Sequence, residues 1–129
     1  MKKILLLSLL ILIPLSGYAK TPKYHKYYEK DYQKYWCKTN NGFVEYKLPD
    51  KARVDCVTDT HAIEFDFATK WAEAIGQSLY YGSQLNKAPG IVLISEQGKK
   101  DEKFIKRLDV VAKKNGITVW IIKPEDLNK

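Results

Sequence analysis

Arg53, Asp55 and Val57 alternate with Val54, Cys56 and Thr58, and after Asp59-Thr60 the residues Ile63, Phe65 and Phe67 alternate with Glu64 and Asp66. Period-two runs on either side of a short polar tip read as a β-hairpin. With Asp59-Thr60 at the tip, Asp55 lies opposite Glu64 and Arg53 opposite Asp66. Alternation then puts Arg53, Asp55, Glu64 and Asp66 on one face and Val54, Cys56, Ile63 and Phe65 on the other. Opposed carboxylates repel unless a cation lies between them. Two carboxylates and a backbone carbonyl are oxygen ligands suited to Mg²⁺ or Mn²⁺; Mg²⁺ keeps several waters and takes substrate phosphate as a further ligand. In the alternative, Arg53 neutralises a solvated acidic face and no site exists. A register shift of one residue would separate Asp55 from Glu64 altogether.

The elements that must position this hairpin follow from the flanking periodicity. Phe43, Glu45 and Lys47 alternate with Val44, Tyr46 and Leu48, and Pro49-Asp50-Lys51 supplies a turn, so a strand precedes the hairpin. Ala68, Ala72, Ile75 and Leu79 repeat at helical spacing, giving a helix to about Tyr81. Ile91-Val92-Leu93-Ile94 is a strand buried on both faces. Phe104, Leu108, Val111 and Ala112 mark a second helix that Gly116 stops, and residues 118–122 form the last strand. Residues 20–36 hold five lysines and five tyrosines, with Tyr24, Tyr28, Tyr32 and Tyr35 at helical spacing. This segment is a first helix packing its rings on the core, a lysine-and-tyrosine surface for single-stranded nucleic acid, or a mobile arm. The expected fold is α/β with a mixed sheet in the order helix, three strands, helix, strand, helix, strand. His61 is expected as a solvated turn residue, and Trp71 and Trp120 as core.

Composition bounds what such a site could serve. The chain has 129 residues, 45% hydrophobic and 29% charged, and a net charge of +7. That is one domain of ordinary globular composition and permits nucleic acid as a partner. Lys2 and Lys3 precede an apolar run over residues 4–15, and Gly17 and Ala19 provide the small residues of a cleavage site. Residues 1–19 read as a secretory signal peptide, leaving residues 20–129 as a single domain. The run falls short of the ~20 residues that span a bilayer, so no stable membrane insertion is expected after cleavage. In an exported chain Cys37 and Cys56 pair as a disulfide, contributing roughly 3 kcal/mol by the chain-entropy account. No CxxC, Gly-rich phosphate loop or serine-nucleophile motif is present.

The acidic hairpin and the element order together resemble the PD-(D/E)XK, or restriction-endonuclease-like, nuclease superfamily. The resemblance implies that Asp55 and Glu64 hold divalent metal. Asp66 stands where the E-x-K motif has its lysine, and Lys70 on the following helix is the candidate replacement. Gln77 and Tyr81 resemble the Q-x-x-x-Y motif of RecB-like nucleases, and residues 71–77 are similar to exported bacterial members of the superfamily. The implied catalytic set is Asp55, Glu64, Asp66 and Lys70, with Arg53, Gln77 and Tyr81 contacting nucleic acid. The implied activity is Mg²⁺- or Mn²⁺-dependent hydrolysis of phosphodiester bonds by an exported, periplasmic or secreted protein. An inactive nucleic-acid-binding module on the same fold, and an envelope interaction protein using the tyrosine stripe, are the alternatives.

Overall fold

The computed structural model describes residues 25–128; the leader and Tyr24 lie outside the described residues. The elements are α1 (Glu29–Thr39), β1 (Phe43–Lys47), β2 (Arg53–Val57), β3 (His61–Phe67), α2 (Trp71–Leu85), β4 (Ala88–Ile94), α3 (Glu102–Asn115) and β5 (Thr118–Ile122). The fold is α+β, with five strands in the order β1-β2-β3-β4-β5. β1, β2 and β3 are antiparallel neighbours, while β4 is parallel to β3 and β5 to β4. No described helix is long and apolar enough to cross a membrane.

The first helix is shorter at its start than the tyrosine spacing suggests. Tyr28 is extended backbone and its N–H donates to the Asp31 carboxylate at 3.0 Å, which starts α1 at Glu29. Tyr28 is exposed, whereas Tyr32 is fully buried against Ile63, Phe65 and Val92, so the tyrosines do not form one uniform stripe. α1 covers one face of the sheet, where Cys56, Ile63, Phe65, Val92, Ile94 and Ile122 form the core. Burying side chains of this size contributes about 1.5–3 kcal/mol each.

The opposite face carries α2 and α3. Ala74 packs with Ile91, Leu93, Leu108 and Ala112, and Tyr81 with Val54, Val57 and Ala62. The buried stripe of α2 is therefore Ala74, Ser78, Tyr81 and Gly82; the expected stripe is displaced, with Ala72 and Leu79 exposed and Ile75 half-buried. Small residues cause the difference: Ser78 and Gly82 let the helix lie close to the sheet while contributing no hydrophobic signal to the pattern. α2 also runs on to Leu85, where Asn86 takes a left-handed conformation and caps it. α3 matches its expected stripe at Leu108 and Ala112 and ends at Gly116, φ +64. β4 begins three residues earlier than its apolar run, at Ala88, and accommodates Pro89 near its start.

Cys37 and Cys56 form a disulfide that ties the last turns of α1 to the middle of β2, as an oxidising compartment permits. Gly42 lies directly over it. A Cβ built there would stand 2.5 Å from Cys56 Sγ and 2.6 Å from Cys37 Sγ. Gly42→Ala should therefore lower stability by about 1–3 kcal/mol, read from denaturant midpoints. The penalty should shrink in a Cys37→Ala/Cys56→Ala background, where the obstructing sulfurs are gone; an equal penalty in both backgrounds would refute the packing account.

Candidate functional site

The sheet's hydrogen-bond ladder is interrupted along one line across three strands. β1 and β2 pair at Phe43↔Val57, Val44↔Cys56, Tyr46↔Val54 and Lys47↔Arg53, omitting Glu45 and Asp55. β2 and β3 pair at Val57↔Ala62 and Cys56↔Ile63. This is the register expected for an Asp59-Thr60 tip, but the ladder stops just before Asp55 and Glu64. Glu45 has φ +55, a conformation that costs an L-residue roughly 1–2 kcal/mol. Strain of this kind persists only where the surroundings enforce it.

Asp55 occupies the interruption with both its side chain and its backbone. Its carboxylate accepts the Phe65 N–H at 2.8 Å, and its carbonyl accepts the Gln33 side-chain amide at 2.6 Å. The same amide donates to Glu45 Oε1 at 2.9 Å, using both of its donors. One consequence departs from strict alternation. Val54 packs with Val57, Ala62 and Tyr81 on the α2 side instead of with Cys56, Ile63 and Phe65 under α1.

Alternation along β3 turns Ala62, Glu64 and Asp66 toward α2, while Ile63 and Phe65 lie under α1. Glu64 and Asp66 are each only 5% exposed. Burial, then Asp55, then Asp66 push the Glu64 carboxyl far above the usual carboxylate range. Burial also raises Asp55, against the lowering effect of the Phe65 N–H. Asp66 is pushed up to about 7, by burial first and Glu29 second, with Lys70 acting in the opposite sense. Asp55 and Glu64 act on each other's titration. Glu64 Oε2 is nevertheless buried with no hydrogen-bond partner.

Helices complete the cluster. The first turn of α1 contributes Glu29, whose carboxyl is raised by burial and by Asp55. Lys70, exposed in the 3-10 turn Ala68–Lys70 that leads into α2, lowers both Glu29 and Asp66. Glu73 also acts on Asp66. Tyr81 is buried, and its hydroxyl pKa is raised by burial first and by Glu64 and Asp55 as well. A cavity of about 510 Å³ lined by Tyr28, Glu29, Asp31 and Phe67 opens at the Glu29 side.

The sequence-expected residues Asp55, Glu64, Asp66, Lys70, Gln77 and Tyr81 thus lie in one electrostatic neighbourhood, which also contains four residues the hairpin reading omits: Glu29, Gln33, Glu45 and Glu73. Glu45 could have been found by carrying the cross-strand pairing one strand further, since it is the β1 residue opposite Asp55. Glu29 and Gln33 carry no comparable signal, because α1 reaches the site only through tertiary packing. Arg53 departs from its expected partner. Its guanidinium stands 3.7 Å from Glu45, both groups being exposed, and it makes no ion pair with Asp66; such a surface pair contributes little. His61 is not a solvated turn residue. It is half-buried, its Nε2 meets Thr118 Oγ1 at 3.0 Å, and its ring edge lies on Trp120; burial lowers its pKa.

No protein-family model, curated protein or solved structure matches the chain.

Carboxyls whose folded pKa is raised hold protons that the unfolded chain has released, so stability is greatest below the unfolded pKa near 4 and falls as pH rises through about 7. Glu64→Gln removes that proton uptake while keeping the shape. The variant should exceed the parent by about 1–3 kcal/mol at pH 8, and the two should converge at pH 4. Urea denaturation at both pH values checks this; a variant less stable than the parent at pH 8 would contradict the electrostatic account.

Proposed function

We propose that this chain is an exported metal-dependent nuclease with a restriction-endonuclease-like core, hydrolysing phosphodiester bonds of nucleic acid. The observation that carries the reading is Glu64 Oε2, buried without a donor beside a second carboxyl. A divalent cation held by Asp55 and Glu64 would satisfy that oxygen and offset the repulsion that otherwise keeps a proton in the site. Among the described residues no three His, Cys, Asp or Glu side chains converge on one point. The proposed centre is thus of the two-carboxylate kind, which suits Mg²⁺ or Mn²⁺ with waters and a phosphate completing the shell. Such an ion supplies Lewis-acid polarisation of the phosphate and a bound water of lowered pKa.

The chain's own residues would divide the remaining work. Gln33 and the Phe65 N–H fix Asp55 from two directions, so its carboxylate is oriented before any ligand arrives. Lys70 acts on both Asp66 and Glu29, and on this reading its ammonium stabilises the charge that develops on the phosphate. Asp66, in the place of the motif's lysine, holds a proton near neutral pH. Gln77, Tyr81 and Arg53 would contact the substrate. Six carboxyls, Glu29, Glu45, Asp55, Glu64, Asp66 and Glu73, surround the site, and a divalent cation held there would offset the negative charge that a phosphate would meet. The disulfide supports an oxidising compartment as the place of action.

Asp66 itself favours one second reading, a nucleic-acid-binding module without turnover. The two separate when the oxidised protein is incubated with linear DNA, single-stranded DNA and RNA in Mg²⁺ or Mn²⁺. We expect cleavage that EDTA abolishes and that Glu64→Ala reduces at least 100-fold. EDTA-insensitive cleavage, or full activity in the variant, would defeat the mechanism. Salt-sensitive binding without cleavage would transfer the assignment to the binding module.

A further inference from the structure

A larger cavity, about 610 Å³, lies at the carboxyl ends of β3 and β4, next to the Glu29-side cavity with which it shares His25 and Phe67. Phe67 and Ile94, which pair across those strands, form part of its floor with Phe104. Lys99, Lys100 and Lys103 line the same cavity and are exposed.

The acids beside these lysines are committed elsewhere. Asp101 is 3% exposed, and its carboxylate accepts Ser95 Oγ at 3.1 Å and the Gln97 N–H at 2.9 Å. Glu96 accepts the Tyr32 hydroxyl at 2.7 Å, the Lys26 N–H at 3.1 Å, the Tyr27 N–H at 3.3 Å and a 2.9 Å contact from His25 Nδ1. Against the effect of burial, these bonds hold its carboxyl below the usual range. Among the described residues none of the three lysines is in an ion pair. Lys103 Nζ stands 4.8 Å from the Phe104 ring centroid, so cation and apolar surface are adjacent. The first turn of α3 adds the partial positive charge of a helix N-terminus. His25 stacks on Phe67 with ring centroids 3.6 Å apart and extends the floor as a flat wall.

We propose that this cavity binds a small organic anion with a flat apolar body, its charged group between Lys99, Lys100 and Lys103 and its body on Phe67 and Phe104. A nucleoside monophosphate and an aromatic carboxylate share that chemistry. Neither Asp55 nor Glu64 lines the cavity, so the proposal does not rest on metal chemistry there.

The test is a titration of the oxidised, isotope-labelled protein with adenosine monophosphate, 1-naphthoate and inorganic phosphate, followed by amide NMR shifts. We expect saturable shifts centred on residues 97–104 for at least one organic anion, with inorganic phosphate at least 10-fold weaker because it has no apolar body. Preference for the nucleotide or for the naphthoate identifies the source of the ligand. The Lys99→Ala/Lys100→Ala/Lys103→Ala variant, whose changes are all at exposed positions, should bind at least 10-fold more weakly while its circular dichroism is unchanged. Glu64→Gln should bind within twofold of the parent, so failure of the nuclease reading leaves this result intact. No saturable shift with either organic anion, undiminished binding by the triple variant, or equal affinity for inorganic phosphate would overturn the proposal.

Discussion

Two carboxyls side by side on adjacent strands cannot both ionise in a buried setting without a counter-charge, and the centre of this sheet is arranged around that constraint. A regular ladder would place Glu45, Asp55 and Glu64 in one row on three neighbouring strands. The chain breaks the ladder there instead. Glu45 turns into a left-handed conformation, Asp55 takes the Phe65 N–H with its side chain, and Glu64 Oε2 is left buried without a hydrogen-bond partner. A carboxylate accepting a backbone N–H replaces a lost ladder bond with a charge-assisted one, so the interruption recovers part of its own cost. It also fixes the direction of the Asp55 carboxylate more tightly than a free side chain on a regular strand would.

That arrangement holds because the strand beneath it is anchored next door. Cys56, immediately after Asp55, is disulfide-bonded to α1, and Gln33, one helical turn before Cys37, donates to the Asp55 carbonyl. The same helix thus grips β2 covalently at one residue and by hydrogen bond at the preceding one. Stability and site geometry share their supports here. A change that loosens α1 would reach Asp55 before it reached most of the core.

Much of this was legible in the sequence, and the reasons differ by element. β3 and the hairpin register could be read because a two-residue polar tip and strict alternation leave little freedom. β5 and the end of α3 could be read from an apolar run and Gly116. The Cys37–Cys56 pair followed from having two cysteines in a chain that looked exported. The rotation of α2 was illegible because its closest contacts are made by Ala74, Ser78 and Gly82, which the hydrophobic period does not register. The exposure of every residue of β1, including Phe43 and Tyr46, was hidden because an edge strand keeps the same alternation as a buried one. Val54 changed sides because the interruption at Asp55 resets the pleat, and nothing local announces it.

The start of α1 shows how far the site depends on residues distant in the chain. Glu96, just beyond β4, gathers the Lys26 and Tyr27 N–H groups, His25 and the Tyr32 hydroxyl. This seats residues 25–28 against the sheet and determines where the helix begins. Tyr32, buried and locked to Glu96, fixes the helix's rotation, and rotation decides which side chains of the first turns face β2. Glu29, the first residue of α1, and Gln33, one turn further on, are on the side that meets Asp55. Glu96 therefore acts on the acidic cluster without touching it, by positioning the element that supplies one of its carboxyls and the amide that holds Asp55 in place. Because Glu96 lines the lysine-rimmed cavity as well, the N-terminal segment joins the two candidate sites mechanically, one through Glu29 and the other through His25.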